Sequence, residues 1–359
     1  MQSPLLKLSL VVALCAATGL ARADDTEEFS LAQYAVPAES FDGSDGSFIA
    51  DDGDVGSACL TPEHWFDAPT YKTYFQADAL WLSRINNTDN RTIAVLLPAG
   101  TVPVMNTDDA SLQNKFQLGG LFTLGCNLDN VAALEFTYFG LNHWKNSATV
   151  TDPAGTLGLA GPVLNSTVDF AFADRMTIDY SSRIHNAEGN YKQTIEGLTL
   201  LTGFRYFSLQ EDFNIQSHGF LSGTTSNYNV RATNRLIGWQ WGLGGTAYWG
   251  RFSVGALGKI GIYANVAEQK TDFQDQNNTI PLAKYKAQTT PVSILGEIYV
   301  NANYQVLDWL GVHAGYRFIG LDNIASAPGQ LNFNDFSHHI HAHEFLLLQG
   351  VNVGVEVRW

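Results

Sequence analysis

The chain is short of basic residues, of cysteine and of long apolar runs. Its 359 residues hold 20 Lys and Arg against 35 Asp and Glu, a formal net charge of −15. Such acidity argues against nucleic acid as a partner, because phosphate binding needs basic patches. The cysteines number three, Cys15, Cys59 and Cys126. After the first two dozen residues no segment has the ~18 consecutive apolar residues of a spanning helix. That leaves a secreted or periplasmic protein, or a barrel, which crosses lipid with strands and needs no such run. Also lacking are a Gly-x-Ser-x-Gly elbow, a phosphate loop and a dinucleotide fingerprint. No enzyme activity and no cofactor is therefore expected.

The start of the chain is built for export. Lys7 precedes an apolar stretch from Leu8 to Leu20, and Ala21-Arg22-Ala23 offers small residues on both sides of a cleavage site. Residues 1–23 read as a signal peptide. Leu14 before Cys15 stands where a lipoprotein motif needs a small residue. Residues 24–70 follow as an acidic, flexible periplasmic segment rich in Asp, Glu, Gly and Ser. Its runs Asp42-Gly43-Ser44-Asp45 and Asp51-Asp52-Gly53-Asp54 lack the spacing and closing Glu of a calcium loop.

What the chain has in quantity is alternation. In the last nine residues Val351, Val353, Val355, Val357 and Trp359 take one face, and Asn352, Gly354, Glu356 and Arg358 the other. Successive strand side chains point to opposite faces, so this is a strand with one apolar side. A terminal strand ending in an aromatic residue resembles the assembly signal of bacterial outer-membrane barrels. The same pattern recurs in nine earlier stretches: 71–85, 115–126, 130–144, 174–188, 194–212, 228–245, 250–267, 289–306 and 309–320. The connections alternate long and short, as the outer loops and periplasmic turns of such barrels do. Residues 71–359 are thus expected to form an all-β, antiparallel, up-and-down transmembrane barrel. It has about ten strands, with twelve as the other count, and both termini in the periplasm.

Four phrases strengthen this: Phe75-Gln76-Ala77-Asp78-Ala79-Leu80-Trp81-Leu82-Ser83-Arg84, Leu198-Thr199-Leu200-Leu201-Thr202-Gly203-Phe204-Arg205-Tyr206, Thr233-Asn234-Arg235-Leu236-Ile237-Gly238-Trp239-Gln240 and Gly350-Val351-Asn352-Val353-Gly354-Val355-Glu356. With them the chain resembles, over about residues 70–359, the β-barrel porin family of diderm bacteria that is numbered seventh. The resemblance implies an outer-membrane barrel and supplies no catalytic residues.

Facing inward, the pattern places six bases, Arg84, Arg183, Arg205, Lys259, Arg317 and Arg358. It places five acids beside them, Asp78, Glu135, Asp179, Glu297 and Glu356. A barrel of about eight strands is filled by side chains, whereas ~16–18 strands leave an aqueous channel. Ten strands with mixed charges imply an ion-paired, narrow or plugged lumen, or a small channel whose selectivity those charges set. Two functions follow: porin-like passage of small solutes, or a structural barrel that displays its outer loops to a surface partner. The expected partners are outer-membrane lipid and the barrel-assembly machinery, and nothing in the sequence specifies an oligomeric state. Cys59 and Cys126 fall on the same membrane side and form a candidate disulfide. His339, His341 and His343 would share a face in the last outer loop, a weak zinc or copper candidate. His185, Glu211, Asp212 and His218 are the acids and imidazoles that a rim protease would need, and ordinary loop roles suit them better. Trp249, Trp309 and Trp359 sit at periplasmic strand ends, where an aromatic girdle belongs.

Overall fold

The computed structural model describes residues 71–86, 90–97, 102–161, 168–274, 283–333 and 339–359. The anticipated signal peptide, the anticipated N-terminal segment and Cys59 lie outside the described residues. Fourteen strands are present among them: β1 (Thr73–Arg84), β2 (Thr92–Leu96), β3 (Val102–Asn106), β4 (Phe116–Asn127), β5 (Ala132–Thr151), β6 (Leu157–Leu159), β7 (Ala173–Ile195), β8 (Leu198–Gly219), β9 (Thr225–Trp249), β10 (Phe252–Gln274), β11 (Ala283–Thr289), β12 (Val292–Leu307), β13 (Leu310–Ile324) and β14 (Glu344–Arg358).

Ten of them close on themselves. Around the ring the order is β1, β4, β5, β7, β8, β9, β10, β12, β13, β14 and back to β1, every pair antiparallel. The closing pair runs from Tyr74 opposite Arg358 to Arg84 opposite Leu348, so the terminal strand is the stave that leaves no free edge. The expected count of ten staves holds. The other four strands stand off the ring: β2, β3 and β6 form a small sheet that joins β7, and β11 pairs the far end of β10.

One end of the barrel carries the short connections. At 196–197 the two central residues, Glu196 and Gly197, have φ of 50° and 82°. Positive φ at both positions is the two-residue hairpin whose twist matches that of the strands it joins, and glycine adopts it without strain. The turn anticipated at 189–193 is therefore six residues too early. The opposite end carries the long connections. We call the two the turn end and the loop end.

The staves are unequal. β7, β8, β9 and β10 have 23, 22, 25 and 23 residues, where a tilted membrane strand needs about 9–11. Their surplus length lies toward the loop end, and there the polarity of both faces inverts. On β8 the outward residues begin with Leu198, Leu200 and Phe204, all exposed. Past Tyr206 they become Ser208, Gln210, Asp212, Asn214, Gln216 and His218. The inward residues change the opposite way, from Gly203 and Arg205 to Phe207, Leu209, Phe213 and Ile215, which are buried. One continuous strand thus serves two solvents. Near the turn end its apolar face meets lipid. Beyond the band its polar face meets water, and its apolar face fills the interior.

That interior is a packed core. Leu80 and Leu82 of β1, Phe139 and Leu141 of β5, and Leu346 and Leu348 of β14 join the β8 residues. Parts of the long connections fold in to complete it: Ile93 and Ala94 of β2, Leu157 and Leu159 of β6, and Leu331 and Phe333 between β13 and β14. Two stretches read as outer loops, 213–227 and 268–288, carry strand over 213–219 and 225–227 in the first and over 268–274 and 283–288 in the second. Sequence reading cut those strands at membrane thickness, whereas the core gives them reason to continue.

Candidate functional site

The interior at the level of the lipid band is polar, and its charges converge on one lattice. β8 contributes Arg205, β10 Lys259, β12 Glu297, β13 Arg317 and β7 Glu188. Each is flanked along its strand by outward residues of the band, such as Phe204 and Tyr206 around Arg205, or Tyr316 and Phe318 around Arg317. Alternation therefore turns all five inward. Glu297 accepts from Arg205 at 2.8 Å, Lys259 at 3.1 Å and Arg317 at 3.1 Å. Glu188 accepts from Lys259 at 2.9 Å and lies 3.4 Å from Arg205. Gln240 donates to Glu188 at 2.8 Å, and Arg205 donates to Asn186 at 2.6 Å. The Arg317 guanidinium lies 4.8 Å from the centre of the Tyr299 ring, a cation–π distance. All five charged side chains are less than one-tenth exposed. Taking so many charges out of water is costly unless each finds opposite charge and hydrogen bonds; the lattice gives every charge an opposite partner and leaves Arg205 Nη2 and Arg317 Nε without a hydrogen bond.

Smaller pairs surround it. Asp78 of β1 meets His313 of β13 at 2.7 Å and accepts from Asn352 of β14 at 2.6 Å. Lys192 meets Glu135 at 2.6 Å, and Tyr74 donates to the same carboxylate. Glu356 pairs with Arg358 and accepts from Gln76. Between the lattice and the turn end lies a polar cavity of about 200 Å³, lined among others by Glu135, Asn190, Asn301, Asn303 and His313. Toward the loop end, Arg84 reaches into the apolar core. It donates to Glu211 at 2.9 Å and to the Tyr180 hydroxyl at 2.8 Å. The second oxygen of Glu211 accepts the backbone N–H of Ala327 at 3.0 Å, so one buried ion pair ties the connection between β13 and β14 to the wall.

Nine of the eleven anticipated lumen charges point inward: Asp78, Arg84, Glu135, Arg205, Lys259, Glu297, Arg317, Glu356 and Arg358. Asp179 and Arg183 do not. Both are exposed on the outside of β7, because the apolar residues there, Met176, Ile178, Tyr180 and Ile184, face the core rather than lipid. The same reversal hid Glu188. Its signal was present as Asn186-x-Glu188-x-Asn190-x-Lys192, four polar side chains at strand spacing. Glu211 was also missed as a lumen group; His313 shares by alternation the inward face of Arg317 but was not counted among the lumen charges.

Val351, Val353 and Val355 of the anticipated assembly strand are exposed on the barrel's outer face. Val357 shares that face, and Trp359 is exposed just beyond β14. Cys126 is exposed at the turn end of β4 and meets no other cysteine among the described residues; its anticipated partner Cys59 falls outside them. His339, His341 and His343 are exposed. Among the described residues no three His, Cys, Asp or Glu side chains come together to hold a metal, so these three do not form the anticipated patch. The four protease candidates disperse. Glu211 pairs with Arg84, Asp212 with Arg231, His218 with Asp174 at 2.7 Å, and His185 with the Tyr138 hydroxyl at 2.9 Å.

A closed antiparallel ring of ten staves, apolar outside and ion-paired inside at one level, defines an outer-membrane β-barrel of porin-like class. The family model described as Putative beta barrel porin-7 matches residues 76–359, and the chain belongs to that family. No curated protein matches it. Among solved structures, the outer membrane protease OmpT from Escherichia coli is similar at 10% identity, over 81% of this chain and 97% of that one, with a TM-score of 0.43. A Pseudomonas aeruginosa FadL homologue is similar at 10% identity, over 79% and 89%, with a TM-score of 0.28. An anion-selective porin from Comamonas acidovorans is similar at 9% identity, over 81% and 99%, with a TM-score of 0.22.

Proposed function

We propose that this porin-like barrel is closed at rest: small polar solutes reach the cavity at the turn end and stop at the charge lattice. The observation that carries this reading is the core beyond the lattice, where residues of the staves and of the long connections fill the interior. Passage of solute would require the lattice and the inward-folded connection anchored on Glu211 to rearrange together. Conductance of the refolded full chain in a planar bilayer tests it. The wild type should insert and pass no steady current, and Glu211→Ala, which releases Ala327 and Arg84, should produce discrete opening steps. Steady, ohmic, porin-sized steps from the wild type would overturn the closed state.

The termini and the turn end face the periplasm, with the long connections outside. Val351, Val353, Val355, Val357 and Trp359 present the strand that the barrel-assembly machinery recognises, and Trp249, Trp309 and Trp359 form an aromatic girdle at the turn-end interface. Residues 1–23 are removed on export, and Cys59 pairs with Cys126 in the oxidising periplasm. We assign no catalysis, a view supported by the separate partners of His185, Glu211, Asp212 and His218.

A further inference from the structure

The lipid-facing wall from β4 through β5, β7 and β8 to β9 holds an almost wholly apolar groove of about 570 Å³, bounded by Leu124, Cys126, Phe136, Tyr191, Phe204 and Trp239. Gly189 lies in its floor, where an added Cβ would meet no atom within 4 Å. Toward the loop end on the same strands, the outward residues pass through Ala187, Tyr206 and Ile237 to His185, Ser208 and Arg235, which lie side by side in register. Arg183 follows on β7. Arg183 and Arg235 are exposed, and neither has an ion-pair or hydrogen-bond partner among the described residues. The carboxylates nearby are already matched, Asp212 by Arg231 and Glu268 by Lys270 and Lys286. Two unmatched guanidiniums at the border of the lipid band stand out in a chain whose net charge is −15.

We propose that this face holds one phosphate-bearing lipid of the leaflet at the loop end, its phosphate against Arg183 and Arg235 and an acyl chain in the groove over Gly189. The guanidinium fork matches phosphate oxygens in geometry as well as charge. Basic side chains at the edge of a membrane attract anionic head groups. From Arg183 to Gly189 is six residues, roughly 20 Å along a strand rising ~3.3 Å per residue, within reach of an ordinary fatty acyl chain and its ester linkage. The inference rests on the membrane reading above.

The test uses the full chain refolded into phosphatidylcholine bilayers doped with brominated phosphatidylglycerol or brominated phosphatidylcholine. Quenching of Trp239 is isolated by comparison with Trp239→Phe. Brominated phosphatidylglycerol should quench Trp239 at a mole fraction at least five-fold lower than brominated phosphatidylcholine. Arg183→Gln with Arg235→Gln should bring the two lipids to parity. Gly189→Leu, which builds side chain into the groove from a position where a Cβ meets no atom within 4 Å, should raise the phosphatidylglycerol requirement several-fold with both arginines in place. Equal quenching in the wild type, or a preference that survives the double substitution, would overturn the proposal. So would loss of the preference on adding millimolar inorganic phosphate, which would leave an anion site without a chain. A protein that never inserts into bilayers would instead sink the barrel reading beneath it.

Discussion

The two halves of the long staves obey opposite rules. At the level of the lipid band the sheet is apolar outside and charged inside. Past the band it is polar outside and apolar inside, like a water-soluble barrel. The strands, turns and twist are continuous across the border, so the backbone does not set the difference. The solvent does: the face that meets the medium takes that medium's polarity, and the other face takes what the interior needs. Alternation therefore tells which residues share a face and says nothing about which face is inside.

Glu297→Ala strikes the band-level half hardest. It leaves Arg205, Lys259 and Arg317 with only Glu188 to share, and breaking a buried charge network by removing one partner costs about 3–5 kcal/mol. Urea unfolding in lipid vesicles measures it, and a loss below about 1 kcal/mol would mean that the lattice is solvated. In the outer half the equivalent blow is Phe213→Ala, a buried aromatic removed from the core, at about 3 kcal/mol. Asn214→Ala, beside it but outward, should stay within about 0.5 kcal/mol. The border itself is sharpened by adding one charge on either side. Phe204→Arg faces lipid and should cost about 2–4 kcal/mol near the midplane. Gln210→Arg, on the same face of the same strand, faces water and should cost nearly nothing.

The smallest effect is a pH dependence outside the band. Hydrogen bonds from Lys286 and then Lys270 hold the Glu268 carboxyl below the usual carboxylate range. A depressed folded-state value stabilises the fold above the unfolded value and ceases to do so as pH falls through the folded one. The pair is exposed on its lysine side, so the contribution is below about 1 kcal/mol. In acid it should appear as faster amide exchange along β11, relative to the intrinsic rate, in the wild type and not in Glu268→Gln.

β10 shows how much of this could be read from the chain. Ile260 and Ile262 outward with Lys259 inward follow directly from alternation, because that stretch stays within the band. β7 shows the limit. Its outer half offers Met176, Ile178, Tyr180 and Ile184 as a convincing lipid face, and only the core they join reveals that they point inward. The ten staves were legible because each pairs with the next stave along the chain, and their closure because an even, all-antiparallel row leaves its first and last strands as the two edges that have to meet. The lattice was half legible: Arg205, Lys259, Glu297 and Arg317 appear by parity, but their common meeting point and Glu188 depend on how the ring closes. The core at the loop end gave no sign in advance, since its loop contributors come from connections distant in sequence.

The inversion of polarity also fixes an order of events. The outward Ser208, Gln210, Asp212, Asn214 and Gln216 cannot rest in hydrocarbon, so with the turn end on the periplasmic side, as proposed, the far part of each long hairpin has to cross the bilayer before the band-level residues settle into it. Only then can Phe207, Leu209, Phe213 and Ile215 find the connections that complete their core. Once formed, that core acts as the head of a rivet. The folded mass beyond the lipid cannot be drawn back through it, and insertion becomes a one-way step even though no covalent bond secures it.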